Sequence, residues 1–348
     1  MLYFVQAAGS ENFKMVMHSR NGLLPAVRFH LEDSHLQNNS LLTPQEIEQH
    51  KSANDGFLSL DFIFEKDFKD LFKEKDPEFY ARIKDSSIES FVDEMMNLRE
   101  NMEPFHLMRL EYAEAEKSIK RHESVYWKEL LAVLSFAMNY PAKYFSAEDM
   151  LRLQKVLMPL ISVVIAFVPQ TSCKELLALH DAGKLDIVAV GQDSDVEIDD
   201  DSSIAYHYTD DEGQKHSEYY KTFVDCVGQP HLSFNDFPFK SMLFDKTISP
   251  AKLKFRSADK GREALSSGNK KVKKDQDTYY LDVPGITIND NFQVVDADGI
   301  ANKRIYIMAV PYIGGFNPDY SGLDFGEEAS QHIITSLGFK AESVKLSL

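Results

Sequence analysis

The stretch from Arg304 to Leu337 constrains the fold most, because it has the pattern of a strand, a glycine loop and a helix. Residues 304–310 read Arg-Ile-Tyr-Ile-Met-Ala-Val, a nearly continuous apolar run with β-branched and aromatic members. This composition is typical of a strand that is covered on both faces. We therefore expect a strand that lies centrally in a sheet.

The loop and helix that follow are also well marked. Gly314, Gly315 and Gly322 lie in the loop, and apolar residues recur with helical spacing from Leu323 to Leu337, before Gly338. A strand that runs through glycines into a helix N-terminus commonly holds a phosphate or a dinucleotide, because backbone N–H groups are free there. An ordinary strand-to-helix connection stays open as the alternative, since the glycines lack a diagnostic spacing.

Composition limits the class of protein. A chain of 348 residues is long enough for about two domains. Hydrophobic residues make up 43% and charged residues 27%, an ordinary balance for a soluble globular protein. The formal net charge of −17 argues against binding to nucleic-acid backbones, which requires a basic surface. Cys173 and Cys226 are far apart and have no metal-ligand spacing, so we predict a reducing, cytoplasmic compartment.

The sequence predicts neither a membrane span nor a secretory signal. The longest apolar stretch, Val156–Val168, is shorter than the roughly 20 residues needed to span a bilayer, and a buried helix is expected there. Phe13–His18 has the character of a strand, and Leu2–Ala8 has that of the last turns of a helix. We therefore expect the chain to open midway through a βαβ unit, which predicts an N-terminal truncation.

Helical periodicity dominates from about Ser86 to Gly183. A separate helix start is signalled at Thr43, where Pro and Glu follow a capping residue. Within the helical region, Ser146 is expected to cap a helix that is interrupted near Pro159. The simplest interpretation is a helical subdomain of roughly a hundred residues.

The period changes after Gly183. Five stretches have the pattern of strands and are separated by turn residues: 185–190, 204–208, 217–227, 279–283 and 292–295. Two charge runs interrupt them, the acidic run 193–201 and the basic run 270–274. We expect both runs to be solvated hairpin tips or loops, because blocks of like charge repel and stay hydrated.

Residues that could carry chemistry are few. The chain has no Gly-x-Ser-x-Gly, His-Glu-x-x-His or Walker motif and no complete Gly-x-Gly-x-x-Gly, and it reveals no nucleophile or proton-transfer residue. His18-Ser19-Arg20 follows a predicted strand, where a hydroxyl and a guanidinium can clamp the 2′-phosphate of NADPH. A surface turn is the alternative. Phe223–Gly228 is expected to be another strand that ends at a glycine, with or without a role in binding.

The order of these parts resembles the FAD/NAD(P)-binding oxidoreductase family, the bacterial flavoproteins whose NAD(P) domain carries a helical insertion. The resemblance covers most of the chain and rests on these segments: 15–25, 175–185, 224–228, 292–299, 305–311 and the final glycine loop. Members of that family begin with a strand and a Gly-x-Gly-x-x-Gly loop for the FAD diphosphate, and a second glycine loop precedes the segment that matches 13–20. Neither loop is present in this sequence.

The resemblance implies roles for individual residues. Ser19 and Arg20 would face the adenosine ribose phosphate of NADPH, and Gly228 would lie in the turn where the chain returns to the flavin domain. The glycines of the last loop would approach the flavin: Gly314, Gly315 and Gly322. The implied cofactors are FAD and NADP.

These expectations combine into one prediction. The fold is expected to be α/β, with a partial Rossmann-like dinucleotide-binding region at 1–85, a helical insertion at 86–183 and a strand-rich region at 184–348 that returns to the sheet. The expected function is that of a truncated NADPH-dependent flavin oxidoreductase, with a small-molecule substrate or dinucleotide as partner and no nucleic acid or membrane. The alternative is a non-catalytic interaction protein with a degenerate dinucleotide-binding fold.

Overall fold

The fold was obtained as a computed structural model, which describes residues 13–32, 42–139, 141–198, 203–210, 212–228, 231–316 and 322–339. The chain divides into two compact units. The first unit consists of Met1–Asp33, Glu89–Leu131 and Pro159–Val227, and the second consists of Ser34–Ile88, Ala132–Met158 and Gly228–Leu348. The predicted boundaries at 85 and 183 stay predictions. The predicted helix end at Leu2–Ala8 lies outside the described residues.

The helices are concentrated in the middle of the chain. In chain order they are α1 (Pro44–Ala53), α2 (Leu60–Lys66), α3 (Phe72–Lys75), α4 (Pro77–Ile83), α5 (Ile88–Asn101), α6 (Pro104–Arg121), α7 (Tyr126–Asn139), α8 (Ala147–Arg152), α9 (Met158–Ile165), α10 (Gln170–Asp181), α11 (Lys240–Phe244), α12 (Ala258–Ser266) and α13 (Gly322–Ser336).

Local sequence signals explain several helix ends. Thr43 caps α1, its hydroxyl accepts a hydrogen bond from the Glu46 backbone N–H, and the Glu46 carboxylate accepts one from the Thr43 N–H. Ser146 caps α8, and its hydroxyl accepts a hydrogen bond from the Asp149 backbone N–H. These predicted starts are confirmed. Helices nevertheless begin at Pro44, well before the region in which helical periodicity is continuous.

The predicted interruption near Pro159 is confirmed and takes the form of a π-helical segment, Leu153–Leu157, between α8 and α9. Proline lacks the N–H that would continue the ladder of α-helical hydrogen bonds, so the preceding turn adopts a wider winding. Leu160, Ile161 and Val164 are fully buried in α9. This apolar stretch is therefore a core helix, and no described helix has the length and apolar character needed to cross a membrane.

The described strands form four small sheets. Ten strands build them: β1 (Met15–Ser19), β2 (Leu185–Ala189), β3 (Asp195–Ile198), β4 (Ile204–Thr209), β5 (Lys215–Tyr220), β6 (Pro250–Lys254), β7 (Val272–Asp275), β8 (Thr278–Ile286), β9 (Gln293–Val295) and β10 (Ala301–Tyr306). Their orders are β1-β2, β3-β4-β5, β6-β8-β7 and β10-β9. The predicted mixture of helices and strands is confirmed, whereas the described sheets give no sign of a Rossmann-like sheet.

The parallel pair β1-β2 positions the candidate site. Its register runs from Met15 opposite Leu185 to Ser19 opposite Ala189. Parallel strands need a crossover connection, and a long helical segment separates these two in sequence. The inner side of the pair packs on a core that contains Phe105 and Cys173. Burial raises the pKa of Cys173 to about 11, so this thiol stays protonated and serves packing.

The strand predicted at residues 304–310 is present only in part, and its predicted central position is wrong. The strand there is β10, which pairs antiparallel with β9 in a two-stranded sheet, and Val310–Tyr312 forms a turn of 3-10 helix. A tight turn that ends at Gly299 joins the two strands, and Lys303 and Arg304 are exposed, so the strand is neither central nor covered on both faces. The helix predicted after the glycine loop is confirmed as α13, and Gly338 follows it with a φ of +83°.

Other strand predictions need correction as well. Residues 223–228 form no strand, and Val224 and Val227 are 51% and 86% exposed. Strand propensity is expressed only where a partner strand is available, and no described strand pairs with this segment. Conversely, each charge run contains a short edge strand, β3 in the acidic run and β7 in the basic run, because charged side chains are well tolerated at sheet edges.

Candidate functional site

A cluster of aromatic rings surrounds His18 at the end of β1, within the first unit. The imidazole stacks on Tyr206, with ring centres 4.1 Å apart and planes inclined by 19°. Tyr220 meets it edge-on at 5.6 Å, and the Nε2 atom of His18 shares a hydrogen bond of 2.8 Å with the Tyr220 hydroxyl. The cluster joins the parallel pair to the antiparallel sheet β3-β4-β5.

The pleat of that sheet explains the composition of the cluster. Side chains two residues apart on β4 share a face, so Tyr206 and Tyr208 point the same way. Tyr220 lies opposite Ile204 in the register of β4 and β5, which puts its side chain on the same face. Tyr206, Tyr208 and Tyr220 thus form one surface, the tyrosine wall, and His18 packs against it.

Burial favours the uncharged forms of His18 and Tyr220. Burial lowers the pKa of His18, while the carboxylate of Glu218 acts in the opposite direction. Burial also raises the pKa of Tyr220, and the charge of Glu218 adds to that effect. Imidazole and phenol therefore both favour their uncharged forms.

The predicted pair Ser19 and Arg20 lies at the carboxyl end of β1. The Val190 N–H donates to the Ser19 carbonyl and the Gly191 N–H donates to the Arg20 carbonyl, both at 3.0 Å, so this backbone is held against the segment that follows β2. The Ser19 hydroxyl is buried and makes no hydrogen bond with any described residue. The Arg20 side chain is exposed and forms no ion pair within the described part of the chain.

The glycines predicted to approach a flavin lie in the second unit, and two of them serve close packing. A Cβ atom on Gly314 would clash with the ring of His231, and one on Gly315 would clash with the carbonyl of Pro284. The Gly315 N–H donates to that carbonyl at 3.1 Å. The space beside both glycines is therefore filled by the chain itself, and their role toward a cofactor stays a prediction.

The remaining two predicted glycines have different surroundings. Gly228 is exposed, and a Cβ atom there would meet nothing within 4 Å. Gly322 is the first residue of α13. The structure thus places Ser19 and Arg20 together at one strand end, while the four glycines belong to the other unit.

Sequence reasoning missed a polar groove on the sheet β3-β4-β5. The groove has a volume of about 570 Å³ and is lined by these residues: Asp193, Ser194, Asp195, His207, Tyr208, Thr209, Lys215, His216 and Ser217. Such a volume is within the range of small-molecule sites. The alternation along each strand was visible in the sequence, but the register that brings His207 opposite Ser217 was not. Among the described residues no group of His, Cys, Asp and Glu is arranged to hold a metal ion.

Comparison with known proteins shows a different relationship from the predicted one. Residues 43–165 match the model of a family described as "YdhS-like middle domain". A curated protein, "Uncharacterized protein YdhS" of Escherichia coli (strain K12), is 26% identical over 239 residues, which cover 67% of this chain and 42% of that protein. The chain is similar to YdhS-like proteins. It spans less than half the length of this relative.

The predicted membership of the FAD/NAD(P)-binding oxidoreductase family is therefore wrong, and so is the flavoprotein function that depended on it. The alternative of a non-catalytic interaction protein has no specific support either. The resemblance rested on the order of short motifs. Of these, 224–228 forms no strand, and in 305–311 the strand ends at Tyr306. Binding of FAD or NADP is not tested by these findings.

Proposed function

We propose that this chain binds a phosphorylated small molecule at the carboxyl end of the pair β1-β2, with the Arg20 guanidinium and the Ser19 hydroxyl as phosphate contacts. The observation that carries the proposal is that these two side chains lack polar partners among the described residues. Among the described residues, the buried hydroxyl has no hydrogen-bond partner and the neighbouring cation has no carboxylate to neutralise it. Buried polar groups are almost always hydrogen-bonded, so a ligand atom is a natural partner.

The location supports the same proposal. Ligands of open α/β sheets bind outside the carboxyl ends of parallel strands, and Ser19 is the last residue of β1. Gly22 follows with a φ of +67°, a conformation that glycine adopts readily, and it turns the chain back toward Ala189 of β2. The proposal needs this parallel pair alone. A Rossmann-like sheet stays a prediction.

Arginine suits a phosphate because its planar group offers parallel N–H donors to two oxygens. A charge-assisted hydrogen bond of this kind contributes about 1.5–3 kcal/mol, or on the order of tenfold to a hundredfold in affinity. The formal net charge of −17 makes a local cation necessary if an anion is to be held. Arg20 is placed to supply it.

NADPH and NADH provide a direct test because they differ by one phosphate. A ligand that binds the folded state raises the midpoint of thermal unfolding in proportion to the logarithm of its concentration over its dissociation constant. We expect NADPH to raise the midpoint clearly more than NADH at equal concentration. Equal midpoints with both nucleotides, or no shift with either, would contradict phosphate binding at this strand end.

A further inference from the structure

A row of polar side chains crosses the sheet β3-β4-β5 on the face opposite the tyrosine wall. His207 lies opposite Asp195 on one side and opposite Ser217 on the other. Residues directly opposite each other in antiparallel strands project to the same face. The three side chains therefore stand side by side, and all of them line the groove of about 570 Å³.

His207 links a hydroxyl to a carboxylate. Its Nδ1 atom lies 2.8 Å from the Ser217 Oγ atom, and its Nε2 atom lies 3.8 Å from an oxygen of Glu197. The carboxylate favours the tautomer that carries the proton on Nε2, which leaves Nδ1 free to accept the serine hydrogen. A nucleophile with a base within hydrogen-bond reach is the core of the arrangement used for covalent catalysis, and the Glu197 carboxylate lies near enough to act on that base electrostatically.

The groove gives this arrangement access to a substrate. Ser217 is exposed, and His207 retains 37% of its side-chain exposure. Lys215 lies two residues before Ser217 on β5, opposite Thr209, and lines the same groove. Its side chain shares the face of His207 and Ser217, so it would add positive charge near a developing oxyanion.

We propose that Ser217 is the nucleophile of an acyl-transfer site, with His207 as its base and a small activated ester as the class of substrate. The Ser217 Oγ atom attacks the carbonyl carbon, and its proton passes to His207 Nδ1. The bond to the alcohol breaks, and the alcohol leaves with that proton. Water then attacks the acyl-serine, with His207 again taking a proton, and returns the free serine and a carboxylic acid. No oxidant, metal or cofactor takes part in either step.

A fluorophosphonate tests the nucleophile on the unmodified chain. Attack by Ser217 would form an Oγ–P bond and release fluoride, and mass spectrometry of the digested protein would show the adduct on the peptide that contains Ser217. Ser217→Ala should abolish the adduct. Ser266→Ala is the matched control, because Ser266 is likewise an exposed serine but is not part of the groove lining.

Hydrolysis of p-nitrophenyl acetate tests the base. We expect Ser217→Ala and His207→Gln each to lower the rate on the order of a hundredfold, as loss of general-base catalysis does, and Ser266→Ala to leave it unchanged. An adduct on another residue, no adduct at all, or a rate that survives Ser217→Ala would overturn the proposal. These outcomes are independent of nucleotide binding at Arg20.

Discussion

The Nε2 atom of His18 lies 2.8 Å from the hydroxyl oxygen of Tyr220, although the two residues are 202 positions apart in the chain. This hydrogen bond connects the end of β1 to the end of β5. Stacking of His18 on Tyr206 reinforces the connection. The position of Ser19 and Arg20 therefore depends on a histidine that remains neutral.

The first prediction concerns pH. Burial lowers the pKa of His18 in the folded state, so the unfolded chain takes up the proton first as the pH falls. The free energy of unfolding should therefore decrease as the pH drops below about 6.5, until the lowered pKa of the folded state has been passed. Urea denaturation between about pH 8 and pH 5 measures this slope.

His18→Gln should flatten the slope, because the substituted side chain does not titrate. His106→Gln is the control, since His106 is exposed on α6. His50 stays in every variant, and burial lowers its pKa as well, so the slope should be reduced rather than lost. A slope that is identical in wild type and His18→Gln would show that His18 is not the titrating group.

The second prediction concerns glycine packing in the second unit. Gly285 has a φ of +93°, and a Cβ atom there would clash with the carbonyl oxygen of Tyr312. Gly285→Ala should lower the free energy of unfolding by at least about 2 kcal/mol, through backbone strain and steric overlap together. Urea denaturation at constant pH measures the loss.

Substitutions of two further glycines separate the effect of backbone strain from that of steric overlap. Gly268 has a φ of +84° and open space around it, so Gly268→Ala should cost about 1–2 kcal/mol from strain alone. Gly228 has neither feature, and Gly228→Ala should have almost no effect. If Gly285→Ala and Gly268→Ala lower the free energy of unfolding equally, steric overlap with Tyr312 does not contribute to the loss.

The third prediction concerns a buried ion network in the first unit. The Glu111 carboxylate pairs with Arg99 and with Lys128, the latter at 2.8 Å, and all three side chains are nearly inaccessible to solvent. Glu111→Gln leaves two buried cations without their shared partner and should cost about 3–5 kcal/mol. Chemical denaturation detects a loss of this size easily.

Glu114→Gln provides the control for that variant. Glu114 also pairs with Lys128, at 2.7 Å, but its side chain is 47% exposed. Water can replace that contact, so the expected loss is about 0–1 kcal/mol. If Glu111→Gln and Glu114→Gln lower the free energy of unfolding by similar amounts, burial does not determine how much each ion pair contributes to stability.

Much of the local structure could be predicted from the sequence. The cap at Thr43, the interruption near Pro159 and the helix end at Gly183 each depend on residues within one or two turns, and short-range chemistry fixes them. Pairing of strands depends on partners that are distant in sequence. That is why residues 223–228 have a strand composition and no strand, while the charged β3 and β7 do pair.

The candidate site, too, could be predicted from the sequence only where it depends on local residues. The position of Ser19 and Arg20 after a strand was readable from the sequence, because it needs only β1. The tyrosine wall and the row of Asp195, His207 and Ser217 were not, because they depend on the register of three strands. Resemblance in the order of weak motifs did not compensate for this missing information, and it led to the wrong family.

Titration calorimetry with NADPH and NADH measures most directly whether Arg20 binds a phosphate. Arg20→Ala should weaken NADPH binding tenfold to a hundredfold, the equivalent of about 1.5–3 kcal/mol, and leave NADH binding nearly unchanged. Arg28→Ala removes an equally exposed cation of the same unit and should change neither affinity. Equal losses for NADPH and NADH in Arg20→Ala, or no binding of either nucleotide to the wild-type chain, would contradict the account.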